Sequence, residues 1–206
     1  MRRKIEIARK KREWYPGAIY HIMGRGNRRQ SIFEDTTDYQ YFLLLLGDIQ
    51  KRYPFELHSY CLMTNHYHLL IETKEIEIWF IMKRLVQLYT GYHNHKYGIT
   101  GHLFQGRYRS CIIEDDTYFL QTSRYIHLNP VKARMVPYPE DYLWSSYQSF
   151  IGMNHSILVT TDKILSYFKG DERIRYRAFV EDAKTYNTHE IDIQKSMGED
   201  ELWLPW

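Results

Sequence analysis

Two β-prone apolar segments of this chain are separated by only three residues, and that pair constrains the fold more than any other feature. Residues 55–63 (Phe-Glu-Leu-His-Ser-Tyr-Cys-Leu-Met) and residues 67–72 flank Thr64-Asn65, and so short a gap predicts a tight antiparallel hairpin. A lone hairpin is marginal in water, so it needs further strands and a helical layer. The flanking sequence supplies them. Residues 18–23 read as a short strand broken by Gly24-Arg25-Gly26-Asn27-Arg28-Arg29. Residues 38–52 carry Tyr41, Phe42, Leu45, Leu46 and Ile49 at helical spacing, with Asp35 or Thr36 as cap. Residues 76–97 form a second amphipathic helix that Gly98 ends. Residues 108–114 read as a fourth strand and 117–128 as a third helix, which Pro130 is expected to stop. The order is β-α-β-β-α-β plus a final helix. It predicts an α+β fold of ferredoxin-like type, one antiparallel sheet backed by helices. Residues 162–167 and 173–184 predict a C-terminal helical extension. The expected organisation is a basic arm over 1–14, a core domain over 15–147 and an acidic extension over 148–206.

The net charge of +3 is unevenly spread. Residues 1–30 hold ten Lys/Arg against two Glu, whereas residues 171–206 hold five basic residues against nine acidic ones. A basic front suits a polyanion. Two cysteines, neither in a CxxC, argue against a disulfide scaffold and point to a reduced, cytoplasmic setting. No apolar stretch approaches the roughly 20 residues of a membrane span, and the basic start has no apolar segment of the signal-peptide kind behind it.

The chemistry-bearing residues lie in two places. His66 and His68 are two apart on the predicted third strand and therefore face the same way. Tyr125 and Asn129 are four apart on the predicted third helix, about 6 Å along its axis. Two imidazoles and an amide oxygen make a reasonable set for Mg²⁺ or Mn²⁺, and a phenol beside them is a candidate nucleophile. Each piece has a plainer reading: packed histidines, a helix-end Asn before Pro130, a core tyrosine. Ionising a free phenol at pH 7.5 costs about 3.4 kcal/mol, so a metal or a cation must offset that cost. Arg25, Asn27, Arg28 and Arg29 sit in a glycine-rich loop suited to phosphate contacts, and Arg107 and Arg109 alternate with an aromatic residue.

Together these stretches resemble the single-tyrosine HUH transposases of insertion-sequence type, and most closely the REP-associated tyrosine transposases. The resemblance rests on Tyr20-His21-Ile22-Met23-Gly24-Arg25-Gly26-Asn27, Met63-Thr64-Asn65-His66-Tyr67-His68-Leu69-Leu70, His102-Leu103-Phe104-Gln105-Gly106-Arg107-Tyr108 and Arg124-Tyr125-Ile126-His127-Leu128-Asn129-Pro130-Val131. It implies a ferredoxin-like fold, His66 and His68 as metal ligands and Tyr125 as nucleophile. Asn129 stands where the REP-associated subgroup has its third ligand, and Arg124, in the same stretch, joins the expected DNA-binding set. Members cut single-stranded DNA near a hairpin, form a 5′-phosphotyrosine bond and leave a free 3′-OH. The implied partner is single-stranded or hairpin DNA, with monomer and homodimer both open. Two competing functions remain at this stage: a domesticated, catalytically idle nucleic-acid-binding regulator, and a hydrolytic phosphodiesterase in which Tyr125 is structural.

Overall fold

The computed structural model describes residues 13–182. Most of the expected basic arm, up to residue 12, and the acidic end from residue 183 lie outside the described residues. Strand β1 (Ile19–Arg25) leads through a 3-10 turn at Asn27–Arg29 to helix α1 (Thr36–Arg52). The hairpin β2 (Phe55–Met63) and β3 (His66–Thr73) follows, then α2 (Ile78–Tyr97), β4 (Arg109–Ile113) and α3 (Asp116–Lys132). A 3-10 turn at Pro139–Asp141 and three shorter α-helices complete the described chain: α4 (Tyr147–Phe150), α5 (Asp162–Leu165) and α6 (Glu172–Glu181). The four strands pair in the order β2-β3-β1-β4, all antiparallel, which is the expected α+β ferredoxin-like arrangement.

Local chemistry accounts for the element ends. Asp35 caps α1 by accepting from the Thr37 and Asp38 amides, and Asp38 returns the bond to complete a capping box. Gly98 takes the left-handed conformation that closes α2. The hairpin turn is Thr64-Asn65, as its length requires, and His66 already belongs to the strand, opposite Met63. The tip is held from outside: the Ile32 and Phe33 amides donate to the Thr64 carbonyl, and the Gly26 amide donates to that of Asn65 at 2.8 Å.

The sheet is covered on both faces. Tyr20, Ile22, Leu62, Tyr67, Leu69 and Ile71 point to one side and share a core with α1 and α2. Cys61, Met63 and Leu70 point to the other and pack with Phe119, Ile126 and Leu128 of α3 and with Tyr147, Phe150, Ile164, Tyr176 and Val180 beyond it. Burying each such large side chain contributes about 1.5–3 kcal/mol. Tyr67, between the two histidines, is fully buried on the α1/α2 side. Its ring lies across Gly24, where a Cβ would come within 2.4 Å of it, so only glycine fits there.

One expectation is corrected. Pro130 does not stop α3, which runs on to Lys132. Proline removes the amide that would donate to the Ile126 carbonyl, but the helix continues for two residues beyond it. Termination comes at Arg134 (φ 56°). The Arg134 amide donates to the Val131 carbonyl and that of Met135 to Pro130, both at 2.9 Å, which is a Schellman closure without glycine.

Candidate active site

The strand register assembles the sheet half of the site. Arg25 pairs with His66, Met23 with His68 and His21 with Leu70 across β1 and β3. His21, His66 and His68 therefore share the face that α3 covers. The His66 and His68 ring centroids are 5.1 Å apart and their planes nearly perpendicular. Helix α3 lays Tyr125 over this group. Its ring meets His68 edge to face at 5.5 Å and His21 at 5.8 Å. Tyr125 is half-exposed, while Asn129, one turn on, is buried. The Asn129 Nδ2 donates to the Tyr125 carbonyl at 2.8 Å, which ties the amide back against the turn that carries Tyr125 and leaves Oδ1 as the atom that could ligate an ion.

The protonation states suit ligation. Burial, with the neighbouring Arg25 guanidinium, pushes His66 down to about 4. Burial also holds His68 well below the usual imidazole range, with His66, His21 and Lys132 adding to the effect. Both rings are thus neutral at pH 7 and carry a lone pair. His66 is fixed further: its Nδ1 lies 2.7 Å from Asn65 Oδ1, and the Asn65 Nδ2 donates to the Arg29 carbonyl at 3.2 Å. The amide can only accept at Oδ1, so His66 is protonated at Nδ1 and its Nε2 carries the lone pair that could ligate an ion. Two neutral imidazoles and a carboxamide oxygen fit a borderline or hard divalent ion.

Two further residues join the site that sequence reasoning gave no role. His21 lies in the first strand and in the Tyr20–Asn27 stretch of the resemblance, neither of which distinguishes it from a packed histidine. Lys132 lies seven residues after Tyr125, two turns on along the same face, and its Nζ sits 4.7 Å from the Tyr125 ring centroid. Burial and the Arg124 guanidinium bring this ammonium down to about 7.

The expected DNA-binding residues divide. Arg28 and Arg107 are exposed, and Asn27, Arg29 and Arg109 are half-buried along the same end of the sheet. Arg28 and Arg29 hold positive φ of 52° and 63°, which costs a non-glycine residue about 1–2 kcal/mol. The loop is pinned by the Asn65 bond to Arg29 and by the Gly26 contact with Asn65. Arg25 is buried beside His66. The structure takes Arg124 out of the set: it is buried, it donates through Nε to the Val180 carbonyl at 3.1 Å and through Nη2 to that of Asp182, and it covers the Phe179 ring. Its side chain fastens α6 to α3 instead of facing solvent.

Among the described residues, one trio of His, Cys, Asp or Glu brings its ligand atoms within 4.8 Å of one another: Glu56, His58 and Glu72. It lies at the far end of the β2–β3 ladder from the HxH pair. Its oxygens are already engaged, Glu72 with His58 at 2.9 Å and Lys163 at 2.6 Å, and Glu56 with Lys74 at 2.5 Å. The His58 hydrogen bond and Lys163 hold Glu72 down to about 2, as an ion-pair cluster joining α5 to the sheet.

The sequence profile described as transposase, IS200-like, matches residues 15–129, more than half of the chain. The chain belongs to the IS200-like transposase family. The matched span closes on Asn129, so it contains both histidines, the tyrosine and the amide. A solved REP-associated tyrosine transposase bound to a REP hairpin is similar in fold, with a TM-score of 0.61 at 19% identity over 76% of this chain and 90% of that one. A putative transposase from Deinococcus radiodurans R1 aligns over 58% of this chain and 95% of that one at 20% identity, with a TM-score of 0.40. No curated protein matched the chain. Among the described residues no helix is long and apolar enough to cross a membrane.

Proposed function

We propose that this transposase is a metal-dependent single-strand DNA endonuclease and strand transferase that cuts near hairpins through a 5′-phosphotyrosine at Tyr125. The observation that carries the reading is the Tyr125 ring packed edge to face on His68, at 5.5 Å, with His66 beside it and Asn129 one turn along. Tyr125 Oη attacks the phosphorus, the bond from phosphorus to the 3′ oxygen breaks, and the phenol proton ends on the released 3′-OH. One ester replaces another, so the energy of the cut is kept for rejoining. His66 Nε2, His68 Nε2 and Asn129 Oδ1 would hold Mg²⁺ or Mn²⁺, which when bound would polarise the phosphate oxygen. Lys132 stabilises charge at the phenol, and Arg25, Asn27, Arg28, Arg29, Arg107 and Arg109 hold the backbone of a single-stranded or hairpin substrate.

The test is a labelled hairpin oligonucleotide incubated with Mn²⁺ and run on a denaturing gel. Wild type should yield a covalent protein–DNA adduct and a free 3′-OH. Tyr125→Phe keeps the ring and its packing but loses the attacking oxygen, so adduct and cleavage should disappear together while binding persists. Cleavage without adduct in both proteins would favour water as the nucleophile, and binding alone in wild type would favour an idle regulator.

A further inference from the structure

His21 is fully buried on β1, and its Nε2 lies 3.0 Å from His68 Nδ1. The two rings are stacked, with centroids 5.2 Å apart and planes 28° apart. His21 does not complete a three-imidazole metal site, because among the described residues only Glu56, His58 and Glu72 bring three such ligand atoms within 4.8 Å of one another. Its contact is with His68 Nδ1, which leaves Nε2 as the nitrogen available to the proposed metal.

We infer that His21 is a positioning residue for the metal ligand His68: it accepts the His68 Nδ1 proton and so fixes the tautomer that leaves His68 Nε2 open for the ion. The inference rests on the proposed metal site. Its logic is the one already seen at His66, whose Nδ1 is held by Asn65 Oδ1 at 2.7 Å. An amide oxygen can only accept, so that tautomer is settled. An imidazole partner can donate or accept, so His21 sets His68 correctly only when its own proton sits on Nδ1. The His21 Nδ1 is buried with no hydrogen-bond partner among the described residues, so no donor forces the proton onto Nε2, but a proton on Nδ1 leaves one buried N–H unsatisfied, a cost that ion binding at His68 Nε2 has to offset. The His21 ring also meets Tyr125 edge to face at 5.8 Å. One side chain therefore orients a ligand and borders the nucleophile.

Two variants separate the acceptor from the bulk. His21→Gln carries an amide oxygen at about the reach of Nε2 and keeps the acceptor. His21→Phe fills the space and has none. Mn²⁺ affinity is read by titration calorimetry on each full-length protein without DNA. The His68 tautomer is read from long-range ¹H–¹⁵N spectra of Mg²⁺-loaded wild type. Wild-type His68 should carry its proton on Nδ1. His21→Phe should bind Mn²⁺ about 10–100-fold more weakly, the usual effect of losing an outer partner of a ligating histidine. His21→Gln should stay within about threefold of wild type. Folded His21→Phe binding as tightly as wild type, or His21→Gln losing as much as His21→Phe, would overturn the inference. Should His21→Phe fail to fold, an Nε2-protonated His68 in loaded wild type would overturn it just as surely. A wild type whose Mn²⁺ binding is absent, or unchanged by His68→Ala, sinks the metal site itself and is told apart by that control.

Discussion

At the scale of single residues, the site sets charge against burial. Lys132 is the clearest case: an ammonium brought down to about 7 by burial lies 4.7 Å over the Tyr125 ring. Keeping a desolvated cation costs stability, while a cation on a phenol ring is worth about 0.5–2 kcal/mol and gains as the oxygen becomes anionic. Lys132→Met should therefore slow adduct formation about tenfold in a single-turnover assay, corresponding to about 1.4 kcal/mol, without lowering the urea midpoint. An unchanged rate would show that the ammonium does not act on the phenol. Arg124, adjacent to Tyr125, spends its charge inward on the Val180 and Asp182 carbonyls. Nothing local in Arg124-Tyr125 announces that, because the partners lie more than fifty residues later.

At the scale of elements, α3 carries both Tyr125 and Asn129, the proposed nucleophile and amide ligand, so its ends set their register over the sheet. Its last turn closes on Arg134 in a left-handed conformation that glycine adopts freely. Arg134→Gly removes about 1–2 kcal/mol of strain and adds back about 0.5–1 of chain entropy, so a gain of about 0.5 kcal/mol is expected. A lower urea midpoint would mean that the arginine side chain contributes more than its backbone costs. The same turn marks where the sequence was readable and where it was not. The hairpin was legible because so short a gap between β-prone runs admits few geometries, and the HxH pair followed from strand periodicity. The end of α3 was not legible. Pro130 is the usual stop signal, and the actual closure uses a residue that carries no stop signal at all. Both faces of the sheet being covered was equally hidden, since periodicity gives a helix its apolar side but not the layer it joins. His21 escaped notice because its role depends on a register across β1 and β3 that no single strand displays.

For the molecule as a whole, buried polar groups join the sheet to the C-terminal helices. Ser59, Ser123, Tyr176, His127 and Ser146 form a continuous chain of hydrogen bonds of 2.7–2.8 Å from β2 through α3 and α6 to the start of α4. Its central imidazole makes acid stability a global property. Burial holds His127 and His21 at about 3 and His68 well below its usual value. Unfolded imidazoles protonate near 6.5, so between about pH 3 and 6.5 the unfolded chain binds more protons. Stability is complete above that window and falls as the pH drops through it, by about 1.4 kcal/mol per pH unit for each such histidine. Metal-free protein should show a markedly lower urea midpoint at pH 5.5 than at pH 7.5; equal midpoints would mean that these rings charge without unfolding. The Arg124 fastening has a mechanical meaning as well. If a DNA strand is joined to Tyr125, any tension along it enters α3 one residue from the side chain that grips the end of α6. Pull on the strand is then shared between the sheet beneath the helix and the chain's C-terminal segment above it, so the joint resists peeling from either side.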